Sequence, residues 1–225
     1  MASRVLLYAA LALLMVVAII ELSFISTMVG FLHGPASGTF GFLYNGSTYQ
    51  LHGHPKNLIA DQGHTSNGAA GTAFVLVGLG GFLVLWLRSR PNAGKFSNFL
   101  YRAWLVINVL SLLLVLTALI YTFVVTSKYS GQSINPAVAA GLKNRKYYLD
   151  SWTPQGWFSA VLGLDLVDDD MRSTIANRLR IMRGWQYNLI PFFVIHLAET
   201  GIALWDAKQY KEGTRFGPVG QKSDV

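Results

Sequence analysis

One uninterrupted apolar run constrains the fold of this chain more than any other feature. Residues 103–125 read AWLVINVLSLLLVLTALIYTFVV and contain no charge, Pro or Gly. A helix rises about 1.5 Å per residue, so a run of this length crosses a hydrocarbon core of roughly 30 Å. A soluble surface helix would need a continuous polar face, which this run lacks. The run therefore predicts a transmembrane helix.

Three more segments have the same character, and together they define the predicted architecture. We predict spans over residues 5–32, 68–87, 99–126 and 185–205. The first apolar run is much longer than the roughly 7–15 residues of a signal-peptide core, so we expect it to stay uncleaved. The prediction is an all-α membrane protein, a four-transmembrane-helix bundle with a polar His-rich first loop and a long, partly helical third connection. One membrane domain would cover residues 1–213, and a flexible polar tail would cover 214–225.

Composition supports this class and excludes others. Charged residues make up 13% of the chain, against about 25% in soluble domains. The formal net charge of +7 is interpreted as a topology signal, and no nucleic-acid partner is expected. The chain has no Cys, which excludes disulfides, thiolate metal sites and thiol catalysis.

Short patterns predict structure in the connections. Asn45-Gly46, flanked by alternating residues 39–43 and 48–52, is typical of a β-hairpin turn. Thr153-Pro154 is a typical helix start, and the acidic residues 168–170 suit the beginning of another helix. That basic amphipathic helix, 171–183, would either lie among lipid headgroups or cap the bundle. The Gly-rich second span, including Gly78 and Gly81, predicts close helix packing.

Basic residues in the short segments predict the orientation. The N-terminus, the second loop and the tail are basic, while the first loop carries only Lys56. Both termini are therefore expected in the cytosol. The sequon at Asn45 would then face the lumen or exterior. We expect a glycoprotein of the secretory pathway or plasma membrane.

The first candidate site lies within the predicted spans. Glu21, Asn108, His196 and Glu199 are polar groups in apolar surroundings, and such residues face the bundle interior and find partners. Counted from the middle of each span, Glu21 and His196 differ in depth by about 6 Å, within side-chain reach. In an enzyme, Glu21, His196 and Glu199 would be the catalytic acid–base groups, with Asn108 as a polar partner. The alternative is that these residues hold four helices in register.

Two further candidates lie in the connections. His52, His54, Asp61 and His64 have donor types that suit Zn²⁺ or Cu²⁺, although loop histidines in solvent are the alternative. The aromatic and basic third connection, with Trp152, Trp157, Phe158, Trp185 and the arginines of 171–183, would suit lipid headgroups, a docking partner or a structural cap.

Three functions remain open at this point. The first is a non-enzymatic membrane scaffold or accessory subunit that organises membrane or a larger membrane complex. The second is a small membrane-embedded enzyme that performs acid–base chemistry on a lipophilic substrate. The third is a transporter component. The expected partners are membrane lipids and either another membrane protein or a second copy of the chain, and no pattern indicates a particular cofactor.

Overall fold

Four long helices dominate the computed structural model, which describes residues 2–90 and 94–215. The chain is 74% helical. Three of these helices are α1 (Ala2–His33), α4 (Lys95–Lys128) and α7 (Asp169–Arg215). The remaining one, Asp61–Arg88, consists of α2 (Asp61–Thr72), a π-helical segment (Ala73–Leu79) and α3 (Gly80–Arg88). Within the described ranges, four helices are long and apolar enough to cross a membrane, consistent with an integral membrane protein.

Two helix boundaries differ from the sequence prediction. The helix predicted to begin at residue 68 begins at Asp61. In its polar first turns, the hydroxyls of Thr65 and Ser66 donate to carbonyls one turn earlier, at 3.0 and 2.9 Å, so both side chains are satisfied within their own helix. The predicted tail also differs, since α7 continues to Arg215. Residues 216–225 of that tail lie outside the described residues.

Residues 171–183 are helical as predicted, but they do not form a separate amphipathic helix. This segment and the predicted span 185–205 form one continuous helix, α7. Asp168 caps it by accepting from Met171 N at 3.0 Å. Gly184 does not break it: a Cβ there would lie 3.4 Å from the Phe24 ring, so the glycine is a packing position rather than a stop.

The long helices alternate in direction, as contacts at the two ends of the bundle show. At one end, Arg88 of α3, Tyr101 of α4 and Asp206 of α7 meet. At the other end, Phe31 of α1 packs on Phe158 with ring centroids 5.0 Å apart. α7 packs against both α1 and α4, which makes it the helix that joins the bundle together.

Glycines bring the second long helix close to its neighbours, as its composition predicted. A Cβ on Gly81 would lie 2.9 Å from the Trp104 ring, and one on Gly78 would collide with Met15. Trp104 Nε1 donates to Val77 O at 3.0 Å, within the π-helical segment. This carbonyl is thus bonded from a neighbouring helix, at a point where helical geometry is irregular.

The connections fold into a second body, here called the cap, which comprises the hairpin, α5 (Pro136–Gly141), α6 (Pro154–Leu162) and the loops between them. The hairpin pairs β1 (Thr39–Tyr44) with β2 (Ser47–His52) in antiparallel register. Asn45 and Gly46 form its turn with φ of 48° and 74°, so the predicted hairpin is confirmed. The helix start at Thr153 is also confirmed, because Thr153 Oγ1 accepts from Gly156 N.

An aromatic cluster forms the core of the cap. Trp152 and Trp157 are fully buried, with ring centroids 5.2 Å apart. Trp157 Nε1 donates to Gly53 O at 2.7 Å, which ties α6 to the end of the hairpin. Leu43 N donates to Asp165 O at 2.7 Å, so the hairpin is also bonded to the segment before α7.

Candidate functional site

Glu199, Asn108 and Thr200 form a buried polar cluster between α4 and α7. Asn108 Nδ2 donates to both carboxyl oxygens of Glu199 at 2.9 Å. Thr200 Oγ1 donates to Asn108 Oδ1 at 2.6 Å. Glu199 and Asn108 are fully buried, and Thr200 is 4% exposed. The amide of Asn108 therefore satisfies two side chains of the opposite helix at once.

A second polar contact joins α1 to α7. Asn188 Nδ2 donates to Glu21 Oε2 at 2.8 Å. The Trp185 indole lies near the same carboxyl group. It does not form a hydrogen bond there, because Trp185 Nε1 and Glu21 Oε1 both lack a hydrogen-bond partner among the described residues. Asn188 is a residue that the sequence reasoning missed. Its spacing of three residues from Trp185 on a predicted span was the available signal.

His196 does not join either carboxylate, which corrects the expected Glu21–His196 contact. The ring is fully buried and nearly parallel to Phe192, with centroids 6.3 Å apart. Within the described residues, neither of its nitrogens has a hydrogen-bond partner. The partner of Glu21 is Asn188. Asn188 precedes His196 on α7 by about 12 Å along the helix axis, at 1.5 Å per residue. The expected offset is too small because the helix begins at Asp169, well before residue 185, which moves the middle of the span away from His196.

An ion pair lies at the end of the bundle where α3, α4 and α7 meet, and the sequence reasoning did not identify it. Arg88 Nη1 and Asp206 Oδ2 lie 3.2 Å apart. Tyr101 OH donates to the same carboxyl oxygen at 3.0 Å, and the guanidinium lies 3.9 Å from the Tyr101 ring centroid. These residues stand at the ends of predicted spans, where charges were interpreted only as topology signals.

The four predicted metal ligands do not form one group. His52 and His54 are neighbours, with His54 N donating to His52 Nδ1 at 3.1 Å. His64 instead lines an apolar cavity of ≈ 120 Å³ between α1 and α2. In the described parts of the chain, no three His, Asp or Glu side chains, Asp61 included, are placed to hold a metal ion. The two-residue spacing of His52 and His54 places these two residues next to each other, but it does not bring Asp61 and His64 into a group with them.

The environment of His54 changes its acid–base behaviour. Burial lowers the pKa of His54 below its ordinary value of 6.5, and a backbone hydrogen bond at Leu32 acts in the opposite direction. Its Nε2 is buried without a partner among the described residues. The neutral imidazole is therefore favoured in the folded cap.

The aromatic third connection is not an exposed docking surface. Trp152, Trp157, Phe158 and Trp185 are all fully buried. Arg172 donates to Leu162 O, at the end of α6, and to Leu164 O, just after it, at 3.1 and 2.7 Å. Of the alternatives for this region, these side chains fit the structural cap.

The predicted sequon occupies an accessible position. Asn45 lies in the tight turn of the hairpin and is exposed. The turn lies at the tip of the hairpin. The paired strands below it run from Thr39 with His52 to Tyr44 with Ser47.

Comparison with known proteins adds no family to this description. The chain matches no protein-family model, and no curated protein and no solved structure is significantly similar to it.

Proposed function

We propose that this protein is an integral membrane scaffold or accessory subunit, in which a four-span bundle anchors the cap at the membrane surface. Support comes from four helices long and apolar enough to span and from a cap whose aromatic core is continuous with buried residues of α1 and α7. In this proposal, the rigid cap presents a fixed surface to another membrane protein or to a second copy of the chain. The function is to organise membrane or a larger membrane complex.

The observation that carries this proposal is the pairing of the buried carboxyl groups. Glu21 accepts from Asn188, and Glu199 accepts from Asn108. Each pair joins two helices that are far apart in sequence. Polar side chains that bond across helices are a recurrent means of association in lipid. A general acid or base would instead need to reach a substrate proton, and neither carboxyl group is exposed.

We further propose that both termini are cytosolic and that the cap faces the lumen or exterior of the secretory pathway or plasma membrane. The basic residues of the short segments support this orientation. The exposed Asn45 would then carry a glycan. Asn45→Gln should remove a glycosidase-sensitive shift in electrophoretic mobility, and a C-terminal tag should be digested by protease outside intact vesicles. Protection of that tag would refute the orientation.

A carboxyl-to-amide series tests the scaffold against the enzyme. Glu21→Gln and Glu199→Gln keep an acceptor for the neighbouring asparagine, so both variants should retain abundance, fold and cellular phenotype. In an acid–base enzyme the same variants would stay folded and lose function, because an amide cannot take up and release a proton. A folded but inactive variant would therefore refute the scaffold proposal.

Co-purification provides the complementary measurement. The full chain, extracted from native membranes in mild detergent, should elute with a stoichiometric membrane-protein partner or as a homo-oligomer. Glu21→Gln should elute in the same assembly. Elution of monomer with a bound small-molecule substrate would favour the enzyme, and substrate movement in proteoliposomes would favour a transporter component.

A further inference from the structure

Two histidines mark the place where the hairpin meets the rest of the cap. His52 ends β2, and His54 follows it after Gly53. His54 N donates to His52 Nδ1 at 3.1 Å, and the two ring centroids lie 6.3 Å apart. Because no three His, Asp or Glu side chains of the described residues are placed to hold a metal ion, we consider the two rings as acid–base groups. Residues 52–54 are here called the latch.

Gly53 fixes the latch to its surroundings. Its N donates to Gly38 O at 2.9 Å, and its O accepts from Trp157 Nε1 of α6 at 2.7 Å. A Cβ on Gly53 would collide with Ala36 O, in the turn after α1. The latch is therefore the point at which the hairpin is bonded to α6 and packed against the turn that follows α1.

The hydrogen bonding of the latch requires neutral imidazoles. His52 Nδ1 is an acceptor here, but both nitrogens of an imidazolium are donors, so protonation of His52 removes the acceptor of His54 N. Protonation of His54 creates a second conflict. Its Nε2 is buried without a partner among the described residues, and an imidazolium would place an unpaired N–H there. Both histidines thus oppose their own protonation while the latch is closed.

The charges that act on His54 are positive. Burial lowers the pKa of His54, and a backbone hydrogen bond at Leu32 opposes this effect. Positive charge at His52, Lys146 and His33 lowers the pKa further. These three groups lie on three different parts of the chain, namely β2, the connection before α6 and the end of α1. Protonation therefore brings together like charges from every side that carries one.

Within the described residues, no carboxylate is paired with these histidines. The sequences of β1, α6 and the turn 35–37, which pack around the latch, contain no charged residue. Asp150 lies in the connection before α6, but it bonds Asn57 through its main-chain carbonyl at 3.3 Å. Lys56, two residues after the latch, adds one more positive charge. Acidification thus adds charge of one sign to a region without a paired counter-charge.

We propose that the latch is an acid-sensitive switch. At neutral pH it holds the hairpin against α6 and the end of α1. Protonation of His52 and His54 releases the hairpin, while the four long helices keep their packing. The consequence rests on the proposed function: in an acidic compartment, release would remove the cap surface that a membrane-protein partner recognises. Histidine suits this role because its charge changes between about pH 5 and pH 8.

Proton linkage sets the size of the response. A histidine with an ordinary pKa of about 6.5, which takes up its proton only in the open form, favours opening about 10-fold at about pH 5.5. Two such histidines give at most about 100-fold. We therefore expect the open population of the hairpin to rise by about 10-fold to 100-fold between about pH 7.5 and about pH 5.5.

Hydrogen–deuterium exchange of the full chain in detergent measures this opening. Exchange rates are divided into those of an unstructured reference peptide at the same pH, which gives protection factors. The protection of the hairpin amides should fall at least about 10-fold from about pH 7.5 to about pH 5.5, whereas that of α4 should change less than about 2-fold. Equal protection of the hairpin at both pH values would overturn the switch, and so would an equal loss in the hairpin and α4.

Two substitutions remove the titration and keep the hydrogen bond. His52→Asn places an amide oxygen where Nδ1 accepts from His54 N, and His54→Gln replaces the second imidazole by a neutral amide. In the double variant, hairpin protection should depend on pH less than about 2-fold. His64→Gln is the matched control, since His64 is exposed on α2, outside the latch; it should respond like the wild type. A wild-type response of the double variant would show that other residues cause the opening.

A surface variant keeps the test decisive if the double variant does not fold. Lys146 is exposed, so Lys146→Glu replaces a positive charge near the latch by a carboxylate without changing a buried residue. This charge favours protonated histidine in the closed form as well. The acid-induced fall in hairpin protection should therefore become at least about 2-fold smaller. A fall as large as that of the wild type would contradict the electrostatic part of the proposal.

The composition of the assembly separates this inference from the proposed function. Elution as a monomer without a partner at about pH 7.5 would refute the scaffold, and the exchange data would test the latch independently. An assembly that is lost at about pH 5.5 in the wild type and kept in the double variant supports both. An assembly combined with pH-independent protection of the hairpin would refute only the latch.

Discussion

Replacing Asn108 by Leu should destabilise the bundle more than its single amide suggests. The amide donates to Glu199 and accepts from Thr200. Two interhelical contacts at about 0.6 kcal/mol each give about 1 kcal/mol. The buried Glu199 carboxyl group would also lose its donor, at about 1–3 kcal/mol. The expected loss in free energy of unfolding is therefore about 2–4 kcal/mol.

A double variant distinguishes this explanation from simple loss of packing. Glu199→Met in the Asn108→Leu background removes the stranded carboxyl group, and apolar replacement of a complete buried polar pair is often neutral. We expect it to recover at least half of the lost free energy. The two substitutions should thus be strongly non-additive.

Reversible unfolding in mixed detergent micelles, followed by tryptophan fluorescence, gives the free energies for this cycle. Thr117→Val is the control on the same helix, since this exposed hydroxyl bonds only its own helix at Leu113 O among the described residues. It should remain within about 0.5 kcal/mol of wild type. An equally small effect of Asn108→Leu, or a double variant less stable than Asn108→Leu, would refute the reasoning.

Two other predictions concern packing and pH. Gly81→Leu should destabilise the bundle by about 1–3 kcal/mol or more, because the new side chain meets the Trp104 ring. Gly71→Leu is the control and should not, because a Cβ there meets nothing within 4 Å. Equal melting temperatures of the two variants would contradict this prediction. Because the pKa of His54 is lowered from 6.5, the unfolded state binds a proton in a pH range where the folded cap does not. Stability should therefore fall as the pH decreases below about 6.5, and His54→Gln should flatten that part of the thermal-stability profile.

The sequence predicted those parts of the fold that depend on local chemistry. Apolar runs of sufficient length indicated the long helices. The Asn45-Gly46 pair indicated the hairpin because its backbone requires positive φ at both positions. Thr153 before a proline indicated the start of α6, since the hydroxyl caps a free N–H group. Each signal needs only neighbouring residues.

The candidate site was less predictable because its pairings depend on how helices are rotated and shifted. The sequence identifies Glu21 and Glu199 as buried polar groups, but depths counted from the predicted spans place His196, not Asn188, beside Glu21. A fourth span that begins at Asp169 shifts the register of that estimate, and Asn188 takes the place of His196. The Arg88–Asp206 pair was missed for a related reason. Sequence pattern does not show that a charge near a helix end turns inward to meet another.

The continuity of α7 has a mechanical consequence. From Asp169 in the cap region to Arg215, the helix has 47 residues, about 70 Å at 1.5 Å per residue. A rigid helix of this length would act as a lever whose pivot lies where Asn188 and Glu199 attach it to its neighbours. A tilt of about 5° about this pivot displaces each end by roughly 3 Å, since about half of this length lies on either side, and Pro191 is the position where a bend would absorb the motion within the described helix.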